Sequence, residues 1–178
     1  MSPTASAWCP SGPPEYQSFT EVATVSRHAT PDVIREYLLE IVSVEGPILG
    51  SRLHSVYVHA AGGHRAGSVS KQNLNKATTR LVRLGHLITE DPLHEGGVRA
   101  STLRLPSQPV SLVRSLGPRT LHDVPPAELA DVMRDLQANT PITEDEPLFR
   151  EVLQHYGLRR LTDGVRARRT AVWTVTEQ

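Results

Sequence analysis

Apolar residues recur at helical spacing soon after residue 30. Thr30-Pro31 has the chemistry of a helix start, because threonine caps free N–H groups and proline suits the first turn. The apolar positions that follow lie three and four residues apart, as on one buried helix face; they are Val33, Ile34, Tyr37, Leu38, Ile41 and Val42. Glu45-Gly46-Pro47 then ends the predicted helix.

Two more helices and a hairpin follow in the pattern. The second helix runs from about Ser51 to Gly62-Gly63, and the third from about Ser70 to Leu84, with Gly85 closing it. The inward positions are predicted to be Leu53, Val56 and Tyr57 in the second helix, and Leu74, Ala77, Leu81 and Leu84 in the third. Residues 87–89 and 101–105 read as the two strands of a hairpin with a long loop.

Helical periodicity restarts at Pro125-Pro126. One helix there has Leu129, Val132, Met133 and Leu136 inward, and the next, capped by Thr143, has Leu148, Phe149, Val152, Leu153 and Tyr156 inward. Gly157 ends that helix, and a third is predicted from about Thr162. This second half aligns loosely with the first as a tandem repeat of a three-helix unit.

These elements predict a mainly α chain. Three helices followed by a hairpin is the winged helix-turn-helix order, so we assign residues 15–105 to a winged-helix domain. Residues 125–178 form a second trihelical domain, and the Pro- and Gly-containing stretch 106–124 reads as a linker. Residues 1–14, rich in Pro, Ser, Thr and Ala, read as a flexible tail.

Composition narrows the class of protein. The 178 residues are 38% hydrophobic and 21% charged, values typical of a soluble globular chain and unlike collagen or a disordered protein. No apolar run approaches the ~18 residues of a membrane helix, so we expect no membrane association. The first basic residue is Arg27, which argues against a secretory signal, and the single cysteine, Cys9, excludes an internal disulfide. We therefore expect a cytoplasmic protein.

Charge is balanced overall but segregated along the chain. Nineteen basic residues match nineteen acidic ones, yet residues 71–83 contain four basic residues and no acidic one. Residues 158–173 hold five arginines against Asp163 alone. The acidic residues gather at positions 32–45 and 144–146. A neutral protein with this distribution can present a basic face, although ordinary solvated helix faces have the same composition.

The predicted third helix has side chains suited to duplex DNA. Asn and Gln pair with adenine, and Arg and Lys pair with guanine. The expected contacts of this helix are Ser70, Lys71, Gln72, Asn73, Lys76, Arg80 and Arg83, and the hairpin adds Arg99 and Arg104 on phosphates. Five arginines of the second unit are also expected on phosphates: Arg159, Arg160, Arg166, Arg168 and Arg169.

Catalytic and metal-binding patterns are weak. His54, His59 and His64 are five residues apart, whereas helical metal pairs prefer spacings of three or four, so we expect surface or loop histidines and no metal site. Cys9 has no evident base beside it, and the chain has neither a G-x-S-x-G turn nor a G-x-x-x-x-G-K-[ST] loop. The sequence therefore predicts no enzyme, no catalytic residue and no cofactor.

Four short motifs occur in order along residues 15–169. They are Val44-Glu45-Gly46-Pro47-Ile48, Gly63-His64-Arg65 with Gly67, Val124-Pro125-Pro126-Ala127-Glu128, and Tyr156-Gly157-Leu158-Arg159-Arg160-Leu161. The set resembles the uncharacterised C-terminal region of large bacterial helicase–nuclease fusion proteins of the superfamily-one type, whose tandem trihelical segments carry similar turns. The resemblance implies a domain that serves enzymes acting on nucleic acids.

Two functions stay open at this point. One is duplex DNA binding, by a transcriptional regulator or a DNA-processing accessory factor; the low aromatic content of 4% disfavours single-strand binding by base stacking. The other is a protein-interaction module of a larger nucleic-acid-processing or defence complex. Such a module would meet its partner through winged-helix surfaces or through the N-terminal tail with Trp8, Tyr16 and Phe19, although packing of these aromatics against the chain's own core is favoured. The sequence leaves open whether the chain forms a homo-oligomer, since it has no heptad pattern.

Overall fold

The helices and strands follow one another in an order that leaves two helix-rich regions. The structure is a computed structural model that describes residues 13–21, 29–64, 67–139 and 145–158. Its elements are α1 (Pro31–Glu45), β1 (Ile48–Leu49), α2 (Gly50–Ala60), α3 (Ser68–Arg83), β2 (Ile88–Glu90), β3 (Thr102–Arg104), a 3₁₀ turn (Leu121–Asp123), α4 (Pro126–Asn139) and α5 (Asp145–His155). The predicted mainly helical class is confirmed.

The first core lies among α1, α2 and α3. Helix α1 begins as predicted, with the backbone N–H of Val33 donating to the Thr30 hydroxyl at 3.4 Å. Its inward residues meet those of the other two helices; the buried apolar set is Leu38, Ile41, Val42, Leu53, Tyr57, Leu74, Ala77 and Leu81. Leu84 was predicted on this face but is 53% exposed, because it is the C-cap residue of α3 and the chain turns away there.

A small antiparallel sheet closes the same core. The predicted hairpin is present, with Thr89 of β2 opposite Leu103 of β3. A third strand, β1, was not predicted: Ile48 pairs with Leu103 on the other side of β3, giving the order β1-β3-β2. Two residues are too few for a period-2 pattern to be visible in a sequence, so the sequence left residues 48 and 49 in the connection between the first two helices.

The second core is built by α4 and α5. The buried set contains Leu129, Val132 and Met133 from α4, Leu148, Val152 and Leu153 from α5, and Tyr156 directly after α5. The 106–124 segment, predicted as a linker, contributes Leu121 and Val124 to this core and buries Arg114 and Arg119. The predicted Thr143 cap and the helix from Thr162 lie outside the described residues, so the second trihelical unit stays a prediction, as does the domain division.

The ends of the described segments bear on two other expectations. Tyr16 is buried and Phe19 packs against the first core, so these two aromatics contact the chain itself. Residues 1–12 lie outside the described part. No helix in the described ranges has both the length and the apolar composition needed to cross a bilayer.

Candidate functional site

The two faces of α3 differ sharply in chemistry. Leu74, Ala77, Thr78 and Leu81 are buried on the inner face. The outer face carries the residues predicted to contact DNA, all of them exposed: Ser70, Lys71, Gln72, Asn73, Lys76, Arg80 and Arg83. We call these seven residues the α3 outer face. Helical geometry groups five of the seven on the side opposite the buried residues: Gln72, Asn73, Lys76, Arg80 and Arg83. Ser70 and Lys71 lie in the first turn, at angular positions close to those of the buried Leu74 and Thr78, and are exposed there.

The α3 outer face is positively charged and unneutralised. Helix α3 contains four basic residues and no acidic residue. Within the described ranges, none of Lys71, Lys76, Arg80 and Arg83 forms an ion pair; six such pairs occur elsewhere. Exposed cations without carboxylate partners are available to an anionic ligand and create a positive potential at the surface.

The loop between β2 and β3 brings a further cation close to α2. The backbone N–H of Ser51 donates to the carbonyl of Arg99 at 2.8 Å, which ties the loop to the start of α2. Gly50 permits this approach, because a Cβ there would collide with the Val98 carbonyl. The Arg99 side chain itself is exposed.

Arg104 does not behave like the other predicted cations. Its Nε donates to Glu90 Oε1 at 2.8 Å, across the β2–β3 pair, and its Nη1 donates to the Gln108 carbonyl at 2.9 Å. The side chain is only 13% exposed. The structure therefore gives Arg104 a role within the hairpin and does not bring it to the surface as a free cation.

A pocket of about 350 Å³ lies where α2, the start of α3 and the β2–β3 loop meet. We call it the α2–α3 pocket. Its polar lining comes from Ser51, His54, Ser55, His59, His64, Lys71 and Arg99, and Val58 adds an apolar surface. Among the described residues, no Asp or Glu lines it. Lys71 belongs both to this pocket and to the α3 outer face, so the two features are continuous.

His54 was predicted at the surface, and that prediction is wrong. The residue is 4% exposed, because α2 packs against α3 at this point. Its Nε2 lies 3.0 Å from Thr78 Oγ1, whose hydroxyl already donates to the Leu74 carbonyl at 2.8 Å, so the imidazole is the donor in this contact. Burial, with a smaller contribution from the Arg99 charge, lowers the pKa of His54 to about 4. The ring is therefore neutral at pH 7.

A buried cluster of ionised groups joins the two cores, and sequence reasoning missed it. Glu45, which lies at the end of the acidic stretch of residues 32–45, is 1% exposed. Its carboxylate accepts from the Tyr16 hydroxyl at 2.6 Å, from Arg52 Nε at 2.9 Å and from the Phe19 N–H at 2.9 Å. Burial and the Glu45 carboxylate raise the pKa of Tyr16 to about 12.

Glu128, near the start of α4, is the second buried carboxylate of this cluster. Arg119 Nη1 and Nη2 each donate a hydrogen bond of 2.8 Å to one of the two carboxylate oxygens of Glu128, which is a bidentate arrangement. Arg114 donates to Glu128 Oε2 at 3.3 Å, and also to the carbonyls of Glu45 and Pro47 at 2.9 Å. Arg114 therefore links the end of α1 to the start of α4.

The ring of Tyr16 lies among the arginines of this cluster. The guanidinium carbons of Arg119, Arg114 and Arg52 are 4.1, 4.7 and 5.4 Å from its centroid, within cation–π distance. We call Tyr16, Glu45, Arg52, Arg114, Arg119 and Glu128 the buried ion cluster. Burial of a charge leaves no periodic pattern in a sequence. The sequence signal for the buried ion cluster was therefore limited to the two motifs that contain Glu45 and Glu128.

Other predicted features have a simpler outcome. The arginines at positions 159, 160, 166, 168 and 169 lie outside the described residues, so their role stays a prediction. No group of three or more His, Cys, Asp or Glu side chains in the described ranges could hold a metal ion.

Comparison of the chain with protein-family models, with curated proteins and with solved structures found no match.

Proposed function

We propose that the chain binds duplex DNA, with α3 as the recognition helix of a winged helix-turn-helix unit. The observation that carries the proposal is the α3 outer face. It combines exposed amide side chains with four cations that have no carboxylate partner among the described residues. Amide and guanidinium groups are those that read base edges in the major groove, and unpaired cations gain most from phosphates.

The order of elements supports the winged form of the proposal. Helix α1, strand β1, helices α2 and α3, and then strands β2 and β3 follow one another, and β3 lies between the other two strands. In this arrangement α2 and α3 are the helix-turn-helix pair, and the loop between β2 and β3 is the wing. Arg99 is the exposed cation on that loop. Arg104, being paired with Glu90, is no longer included among the phosphate contacts.

The residues of the outer face divide by role in this proposal. Gln72, Asn73 and Lys76 lie in the amino-terminal half of α3, where recognition helices usually meet bases. Arg80 and Arg83 lie in the last turn and are assigned to phosphates. No aromatic side chain lies on this helix, which favours a duplex over a single strand, because single-strand binding uses base stacking.

The first experiment is selection from a random duplex library at fixed salt, followed by binding measurements on the preferred site. Asn73→Ala is expected to cost ~1–3 kcal/mol on that site and to relax the preference at one base pair. Scrambled duplexes give the control, since binding to them should change little. An equal loss of affinity for every DNA sequence would show that Asn73 contacts the DNA backbone and does not read a base.

The second experiment tests the electrostatic part. Arg80→Gln is expected to weaken all duplexes alike and to reduce the slope of log affinity against log salt by about one. Arg134→Gln is the matched control, because Arg134 is exposed on α4 and lies far along the chain from α3. If the chain binds no duplex at low salt, the protein-interaction alternative replaces this proposal.

A further inference from the structure

The α2–α3 pocket combines a concave shape with an entirely basic and neutral lining. Its volume of about 350 Å³ falls within the range of small-ligand sites. Lys71 and Arg99 enter from two different elements, and His59 and His64 enter from α2 and from the connection that follows it. Four nitrogen-bearing side chains from separate parts of the chain thus converge on one space, and no carboxylate of the described residues lines it.

The hydrogen-bond donors of the pocket are available to a ligand. Lys71, His59, His64 and Arg99 are exposed, and none of these four side chains donates a hydrogen bond within the described ranges. Helix α3 begins beside the pocket at Gly67, a residue with no side chain to cap the free N–H groups of the first turn. The amino-terminal turn of a helix has partial positive charge, and Lys71 lies at the end of this turn.

The inner wall of the pocket is a buried, neutral imidazole. His54 is 4% exposed, and its Nδ1 has no hydrogen-bond partner among the described residues. Arg99 lies close enough for its charge to contribute to lowering the pKa of this ring. An anion beside Arg99 would offset that contribution, so the resonances of the His54 ring report on occupancy of the pocket.

We propose that the α2–α3 pocket binds a phosphate group. The ammonium of Lys71, the guanidinium of Arg99 and the imidazole N–H groups of His59 and His64 are donors of the kind that hold phosphate oxygens. The hydroxyls of Ser51 and Ser55 on α2 complete the polar wall. This phosphate has two candidate sources. The first rests on the proposed function and is a backbone phosphate of the bound duplex. The second is a free phosphorylated small molecule, for which Val58 offers apolar contact.

The direct test is an NMR titration of the whole chain with inorganic phosphate and, separately, with a nucleoside monophosphate. Chloride at matched ionic strength controls for general screening. We expect saturable shifts at His54, His59 and His64 with phosphate and not with chloride. Arg99→Gln and His59→Ala are each expected to raise the dissociation constant about tenfold, because the first removes a positive charge and the second removes the imidazole donor. Amide spectra check that each variant folds.

A matched pair of substitutions on one helix separates the pocket from the DNA surface. Lys71→Gln is expected to weaken phosphate binding, whereas Lys76→Gln, outside the lining, is expected to leave it unchanged. Absence of saturable shifts, equal shifts with chloride, or unchanged affinity in Arg99→Gln and His59→Ala would each overturn the proposal.

Duplex binding by the same variants identifies the source of the phosphate. If His59→Ala weakens both phosphate and duplex binding, the pocket holds a phosphate of the duplex. If it weakens phosphate binding alone, the pocket serves a free phosphorylated molecule. Phosphate binding by a chain that binds no duplex supports the pocket and overturns the proposed DNA function, so the two failures are distinguishable.

Discussion

The α3 outer face and the buried ion cluster use the same kinds of side chain in opposite ways. On the outer face, four cations are exposed and none has a carboxylate partner among the described residues. In the cluster, three arginines are bonded to two carboxylates and to backbone carbonyls, and Arg119 and Glu128 are each only 1% exposed at the side chain. Charge alone therefore does not distinguish the two regions; the presence or absence of partners among the described residues does.

The difference also has an energetic meaning. A buried charge is retained only when hydrogen bonds and an opposite charge offset its desolvation, so removal of one partner leaves the other uncompensated. An exposed cation keeps its water and contributes little to stability. Variants in the cluster should consequently affect folding, and variants on the outer face should affect ligand binding alone.

The largest effect is expected at Glu128. Glu128→Ala leaves the guanidinium groups of Arg114 and Arg119 buried without their carboxylate, and we expect a loss of ~3–5 kcal/mol in the free energy of unfolding. Urea denaturation monitored by circular dichroism measures it. Asp131→Ala is the control on the same helix: its partner Arg134 is 61% exposed, so the loss should stay below ~1 kcal/mol. Equal losses in the two variants would contradict the contrast between buried and exposed pairs.

The next effect is a dependence of stability on pH through His54. Its pKa is about 4 in the folded chain, against 6.5 for a free imidazole. Since the unfolded chain takes up the proton first, the stabilisation is complete above pH 6.5 and is lost as the pH falls toward 4. The loss amounts to about 3 kcal/mol.

The measurement for His54 compares the wild type with His54→Gln over this pH range. Other groups titrate in both proteins, so the difference between their stability curves isolates the imidazole. Curves that run parallel from pH 7 to pH 4 would show that His54 is not held neutral by the fold.

A smaller effect is expected at the hydroxyl of Tyr16. Tyr16→Phe retains the ring beside the arginines but removes the donor to Glu45, and we expect a loss of ~1–3 kcal/mol. Tyr37→Phe is the control, because the half-buried Tyr37 makes no hydroxyl hydrogen bond to any described residue. Urea denaturation of the pair gives the value. Identical urea midpoints for the wild type and Tyr16→Phe would show that the Tyr16 hydroxyl does not stabilise the fold.

The smallest effect on stability is expected on the outer face. Lys76→Gln should change the free energy of unfolding by less than ~0.5 kcal/mol, since the side chain is exposed and has no partner among the described residues. The same variant should weaken duplex binding. A loss of stability comparable to that of Glu128→Ala would mean that the outer face is a structural surface.

The sequence by itself determined the helices of the first core and the surface that α3 presents. Thr30-Pro31 fixed the start of α1, and the three- and four-residue spacing of Leu74, Ala77 and Leu81 fixed the buried face of α3. The polar residues between those positions then had to lie on the opposite face, because helical periodicity is local. The hairpin was predictable because its two short runs are separated by a segment rich in Asp, Pro and Gly, which is also a local signal.

Only the tertiary structure decided which charges are buried and which elements meet. Strand β1 exists because β3, more than fifty residues away along the chain, offers it an edge. Glu45, Arg114 and Glu128 are ordinary surface residues in composition and become buried because residues distant in sequence converge at one place. The α2–α3 pocket likewise needs a helix, a connection and a loop together. Long-range contacts of this kind leave no periodic trace, whereas the periodicity of a helix is set by its own backbone.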